Sequence, residues 1–151
     1  MKKVLIAFTI ALLCVVSAVY YCFFLDGRVF LKNDTESIVN QLSAISVGEE
    51  FDLSDICTPA DSVYIVNPYN AEFFEQNSHL RVMNKTKRSI EHTTLYEGYC
   101  QLLFVKDDNV ISYAEIDRSI ADFCNLDSCN AQCFSTKATL YLDENKKVHL
   151  K

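Results

Sequence analysis

Three glycines and two prolines in 151 residues leave little room for flexible linkers or low-complexity tracts. The same scarcity removes the glycine loops that cradle phosphates. Neither Gly-x-Ser-x-Gly nor His-Glu-x-x-His occurs. Positive charge is short as well. Behind residue 25, 12 Lys and Arg stand against 20 Asp and Glu, a charge near −8. Such a balance keeps a domain soluble and makes it a poor nucleic-acid binder. What the chain does have is 8 tyrosines and 10 phenylalanines, enough for a packed core. The roughly 125 residues behind the leader are sized for one domain.

That leader, residues 4–25, is an almost wholly apolar run directly behind Lys2 and Lys3. At 1.5 Å per residue its 22 residues make about 33 Å of helix, enough for the roughly 30 Å hydrocarbon core. Tyr20 and Tyr21 fall where an interfacial aromatic belt is expected. The competing reading is a signal peptide cleaved after Ala18, with Val16-Ser17-Ala18 as its site. A retained anchor is favoured, because apolar residues continue past Ala18 to Leu25. Lys2 and Lys3 hold the N-terminus in the cytoplasm, so residues 26–151 are expected outside it. Cleavage would instead give a secreted or periplasmic protein.

Residues 26–32 read as a tether and residues 33–151 as a single extracytoplasmic α+β domain. Asn33 or Asp34 opens an amphipathic helix in which Ile38, Val39, Leu42 and Ile45 recur at helical spacing, with Gly48 just past its end. Residues 51–56 suggest a short strand. Residues 62–66, Ser-Val-Tyr-Ile-Val, suggest a stronger one, stopped by Asn67-Pro68. Asn70 could cap a short helix carrying Phe73 and Phe74. The polar stretch 76–91 reads as a solvated loop or strand edge. Its Arg81, Lys85, Lys87 and Arg88 are candidates for contact with an acidic partner or anionic headgroups. Two apolar runs, 99–105 and 110–116, flank Lys106-Asp107-Asp108-Asn109 as a tight hairpin. A second hairpin spans 137–150. The expected fold is a leading helix followed by an antiparallel sheet of about five strands.

Cysteine is the residue with the most chemistry. Cys57, Cys100, Cys124, Cys129 and Cys133 lie beyond the leader, and an oxidising compartment makes them disulfide candidates. Their number is odd, and cleavage after Ala18 would add Cys22 to make six. The Cys124-x4-Cys129-x3-Cys133 cluster lacks the second ligand pair of a structural zinc site and has no His near it in sequence, so no metal and no cofactor are expected. The pairing stays open. A thiol enzyme would need a free cysteine beside His79, His92 or His149, each of which reads more simply as a surface residue.

Asp61, Val63, Tyr64, Ile65, Pro68 and Tyr69 compose an Asp-x-Val-Tyr-Ile-x-x-Pro-Tyr segment. It resembles one in small exported or membrane-anchored bacterial proteins that have no assigned function. Residues 102–106 and 112–118 are also similar to theirs. In that group a tryptophan commonly precedes the aspartate, where this chain has Ala60 and no Trp anywhere. The resemblance implies bacterial origin and an α+β fold and brings no catalytic residues. The leading expectation is a non-catalytic, membrane-tethered module that binds a protein partner, of immunity or envelope-accessory type. Tyr64 and Tyr69 are its candidate contacts. The alternatives are a small secreted hydrolase or thiol enzyme, and a structural envelope domain.

Overall fold

The computed structural model describes residues 2–20, 31–54, 56–82, 84–127 and 132–151, with side chains from residue 8 onward except at 84, 85 and 127. Helix α1 (Lys2–Tyr20) carries the leader, and its described side chains, Phe8 to Tyr20, are exposed. Among the described residues no helix is long and apolar enough to cross a membrane. The expected span 4–25 continues into residues 21–30, which lie outside the described residues.

Beyond it the elements run β1 (Lys32–Asn33), α2 (Thr35–Ala44), β2 (Glu50–Phe51), β3 (Ser62–Val66), α3 (Phe73–Gln76) and α4 (Asn84–Thr93). They continue with β4 (Tyr99–Lys106), β5 (Asn109–Asp117), α5 (Cys124–Asp127), β6 (Cys133–Ser135), β7 (Leu140–Leu142) and β8 (Val148–Leu150). The fold is α+β. Among the described residues the strands form a five-stranded sheet, β1-β5-β4-β3-β6, and a three-stranded one, β2-β7-β8. The larger sheet is mixed rather than antiparallel, since β1 runs parallel to β5 (Lys32 opposite Ser112). Lys32, expected in the tether, is therefore part of the sheet.

Strand β4 sits at the centre and is buried on both faces from Cys100 to Val105, which explains its apolar run, broken only by the buried Gln101. Its Leu102 and Phe104 join Val63, Ile65, Ala114 and Ile116 against α2 (Ile38, Leu42), Phe123 and the smaller sheet. Its Leu103 and Val105 face the other way, onto Phe73, Phe74, Leu80 and Ile90. Strand β5 alternates strictly: Val110, Ser112, Ala114 and Ile116 are buried, while Tyr113 and Glu115 are half-exposed. The β4–β5 turn is the tight hairpin the sequence predicts, with Asp107 (φ +49°) and Asp108 (φ +61°) both left-handed.

Three expectations are corrected. Helix α2 ends at Ala44, and Gly48 (φ +79°) belongs to a separate turn whose N–H donates to the Leu142 carbonyl. The strand expected at 51–56 shrinks to β2, because Asp52 folds the chain into a turn by accepting the Ser54 N–H at 2.8 Å. The polar stretch 76–91 contains α4 rather than a loop. Ile90 is the one buried residue among that helix's described side chains, so its sequence shows no apolar period.

Asp34 locks the entry into the domain. Its buried carboxylate lies 2.8 Å from Lys32 Nζ and accepts the Thr58 hydroxyl (2.6 Å) and the Thr58 N–H (3.1 Å). Its own N–H donates to the Tyr113 carbonyl at 2.9 Å, which continues the β1–β5 pairing. Burial pushes this carboxyl up, but Lys32 and Thr58 outweigh it and bring it down to about 2. Asn33 takes the local capping role by accepting the Thr35 N–H at 2.9 Å.

Candidate functional site

Pro68 ends β3, and Tyr69 then adopts a left-handed backbone (φ +64°) with 66% of its surface exposed. A bulky residue in that conformation is strained. It is held by its N–H, which donates to the carbonyl of buried Thr94 at 2.7 Å. The Thr94 hydroxyl in turn donates to the Glu91 carbonyl at 2.7 Å, closing the end of α4. The chain leaves α4 through Leu95 and Tyr96 and enters β4 at Tyr99, which are 60%, 55% and 43% exposed. Four large apolar side chains thus share one end of the sheet, with exposed Glu72 and Glu97 alongside them in the chain. The Arg118 guanidinium fixes that end by donating to the Glu97 carbonyl at 3.2 Å. Of these four the sequence singles out Tyr69 alone. The signal for the others is Leu95-Tyr96 followed by Gly98-Tyr99, apolar residues at a turn rather than inside a periodic element.

Tyr64 lies elsewhere. It is half-buried on the Leu103 face of the sheet, edge-on to Phe73, with ring centroids 6.3 Å apart. Its hydroxyl meets His79 Nε2 at 3.1 Å, and Cys133 is its cross-strand neighbour on β6. Burial pushes the Tyr64 phenol up, and the Cys133 sulfur adds to this.

Of the basic residues, Arg81 precedes α4, and Lys87 and Arg88 lie on it. Arg81 sits at the hairpin end of the sheet, with its N–H on the Asp108 carbonyl at 2.8 Å. Lys87 is engaged locally, its ammonium 5.5 Å above the Phe74 ring and 3.7 Å from Glu91. Arg88 is exposed, and the Lys85 side chain lies outside the described residues.

The described cysteines beyond the leader, Cys57, Cys100, Cys124 and Cys133, are thiols in this structure, and Cys129 lies outside the described residues. Cys57 is half-buried, and burial, with the Asp34 charge, pushes it up to about 11. Among the described residues no group of three His, Cys, Asp or Glu is placed to hold a metal ion. His149 stacks on Tyr141 (5.0 Å between centroids) and meets Asp143 at 3.0 Å. That carboxylate also accepts two N–H groups of its own turn, as a structural residue does. An open groove of about 480 Å³ beside α2 is lined by Ile45, Phe51 and the acidic residues Glu49, Glu50 and Asp52, among others, with no thiol or imidazole among the described lining residues.

No protein-family model matches this chain, and neither a curated protein nor a solved structure matches it.

Proposed function

We propose that this chain is a membrane-tethered extracytoplasmic module that binds a protein partner through Tyr69, Leu95, Tyr96 and Tyr99. The observation that carries the reading is Tyr69, which keeps a strained backbone while most of its ring faces water. Strain of this kind is retained where it positions a side chain for use. Tyrosines are rigid, amphipathic anchors that bind at low entropic cost. Glu72 and Glu97 and the overall acidity favour a partner presenting basic and apolar groups. The tether is the leader, with Lys2 and Lys3 on its cytoplasmic side.

The test is recovery of partners by the full-length chain from its native envelope, set against a Tyr69→Gly/Tyr96→Ser double variant. We expect the variant to fold and to retain a partner at least tenfold less well. Equal retention by both chains would sink this surface. Mass measurement of the mature N-terminus checks the tether, since a chain beginning at Val19 would be secreted.

A thiol enzyme is the second reading, favoured by the Tyr64–His79 hydrogen bond with exposed Cys133 opposite Tyr64 on the neighbouring strand. It requires that His79→Ala slow alkylation of Cys133 by iodoacetamide at pH 7. An unchanged rate counts against it.

A further inference from the structure

We propose that Cys100 and Cys124 form a disulfide in the exported protein, pinning the central strand to the segment that follows β5. Cys100 lies on β4 opposite Ile116 and is 1% exposed within the main core. The chain returns to the same place after β5, where Phe123 and Leu126 bury their side chains in that core and leave Cys124 half-exposed at its rim. The Arg118 N–H donates to the Gly98 carbonyl at the start of β4, and its guanidinium donates to Asp122 Oδ1, which also accepts the Cys124 N–H at 3.1 Å, so Cys124 is set at the end of β4 that carries Cys100.

Other pairings are placed less well. Cys133 is opposite Tyr64 on β6, so its side chain stands on the other face of the sheet from Cys100. Cys57 packs beside Asp34 and Thr58, at the entry of α2.

The surroundings suit thiol–disulfide exchange. The Cys124 sulfur beside it, together with burial, holds the Cys100 thiol far above its ordinary range, so Cys100 stays protonated until its neighbour reacts. Arg118 faces both sulfurs, held by Asp122 through Nε–Oδ1 and Nη2–Oδ2 contacts of 3.0 Å each. Its charge stabilises whichever sulfur is negative during exchange. The accessible Cys124 thiolate attacks an incoming disulfide, forming a mixed disulfide and expelling one thiolate. Cys100 gives up its proton and attacks the Cys124 sulfur, expelling the second. Two protein thiols become one disulfide, and the two electrons and two protons leave on the incoming disulfide as a pair of thiols.

The supply of such an oxidant rests on the export reading, whereas the choice of partners does not. The experiment treats the full-length chain, in mild detergent, with oxidised glutathione. Remaining thiols are then blocked with N-ethylmaleimide, and the peptides are mapped without reduction. We expect a Cys100–Cys124 linked peptide, with Cys57 and Cys133 blocked, and a rise in Tm of roughly 10 °C that dithiothreitol reverses. Cys124→Ser should abolish that rise and Cys133→Ser should keep it. Cys124 linked to Cys129 or Cys133, or Cys100 blocked after full oxidation, would overturn the pairing. A chain that links the pair with glutathione, yet leaves its native envelope with both thiols free, overturns export and leaves the pairing standing.

Discussion

Asp34 shows how one residue type serves an unexpected purpose. The sequence assigns the helix cap to Asn33, which accepts the Thr35 N–H, while Asp34 beside it turns inward to Lys32 and Thr58. Its folded-state pKa, about 2, lies below its ordinary 3.8. The stabilisation is therefore complete above pH 4 or so and is lost as pH falls through about 2. We expect Asp34→Asn to cost on the order of 2 kcal/mol at pH 6 and much less at pH 2.5, read from urea unfolding at both. An equal cost at both pH values would remove the charge from the account. Tyr69 should behave in the opposite sense. Tyr69→Gly relieves the left-handed backbone and should raise stability by about 1 kcal/mol in the same assay. A residue whose removal stabilises the fold while weakening partner capture is kept for binding.

At the scale of elements, what was legible in the sequence is what is locally decided. Strand β3 spans the Ser-Val-Tyr-Ile-Val run, and the β4–β5 hairpin follows from two apolar runs around Asp107-Asp108. Helix α4 and strand β1 were not legible, because each depends on a partner distant in the chain. Strand β1 is two residues long and exists by pairing with Ser112 and Tyr113. Helix α4 docks through Ile90 against Leu103 and Val105, and through Lys87 over Phe74. Of the candidate contacts, Tyr69 announced itself through the Asn67-Pro68 break. Leu95 and Tyr96 follow the end of α4 and so shared its invisibility, whereas Tyr99 opens the 99–105 strand run, which does not show in sequence that its ring is exposed. Ile90→Ala should cost roughly 2–4 kcal/mol. It should also free the α4 amides to exchange in deuterated water well before those of β4. Loss of protection in both elements together would make α4 part of the central unit.

At the scale of the molecule, the two ends of the large sheet differ. The β4–β5 hairpin and Arg81 mark one end, and Tyr69, Leu95, Tyr96 and Tyr99 mark the other. Because β1 runs parallel to β5, the chain enters from the hairpin side and advances toward the aromatic end. A tether at that entry would hold the aromatic end outermost. In intact cells a membrane-impermeant maleimide should therefore label a Tyr96→Cys chain above the background of the unaltered protein. Labelling only after lysis would reverse the topology. The same entry strand also sets how the domain would bear force. Tension applied at Lys32 along the strand axis would pull β1 lengthwise past β5 and load its pairing in shear. The Asp34 contacts with Lys32 and Thr58 sit directly behind that pairing and share the load. A pull applied there would meet a clasp loaded in shear rather than a seam that peels, with Lys32, Asp34 and Thr58 tied together directly behind it.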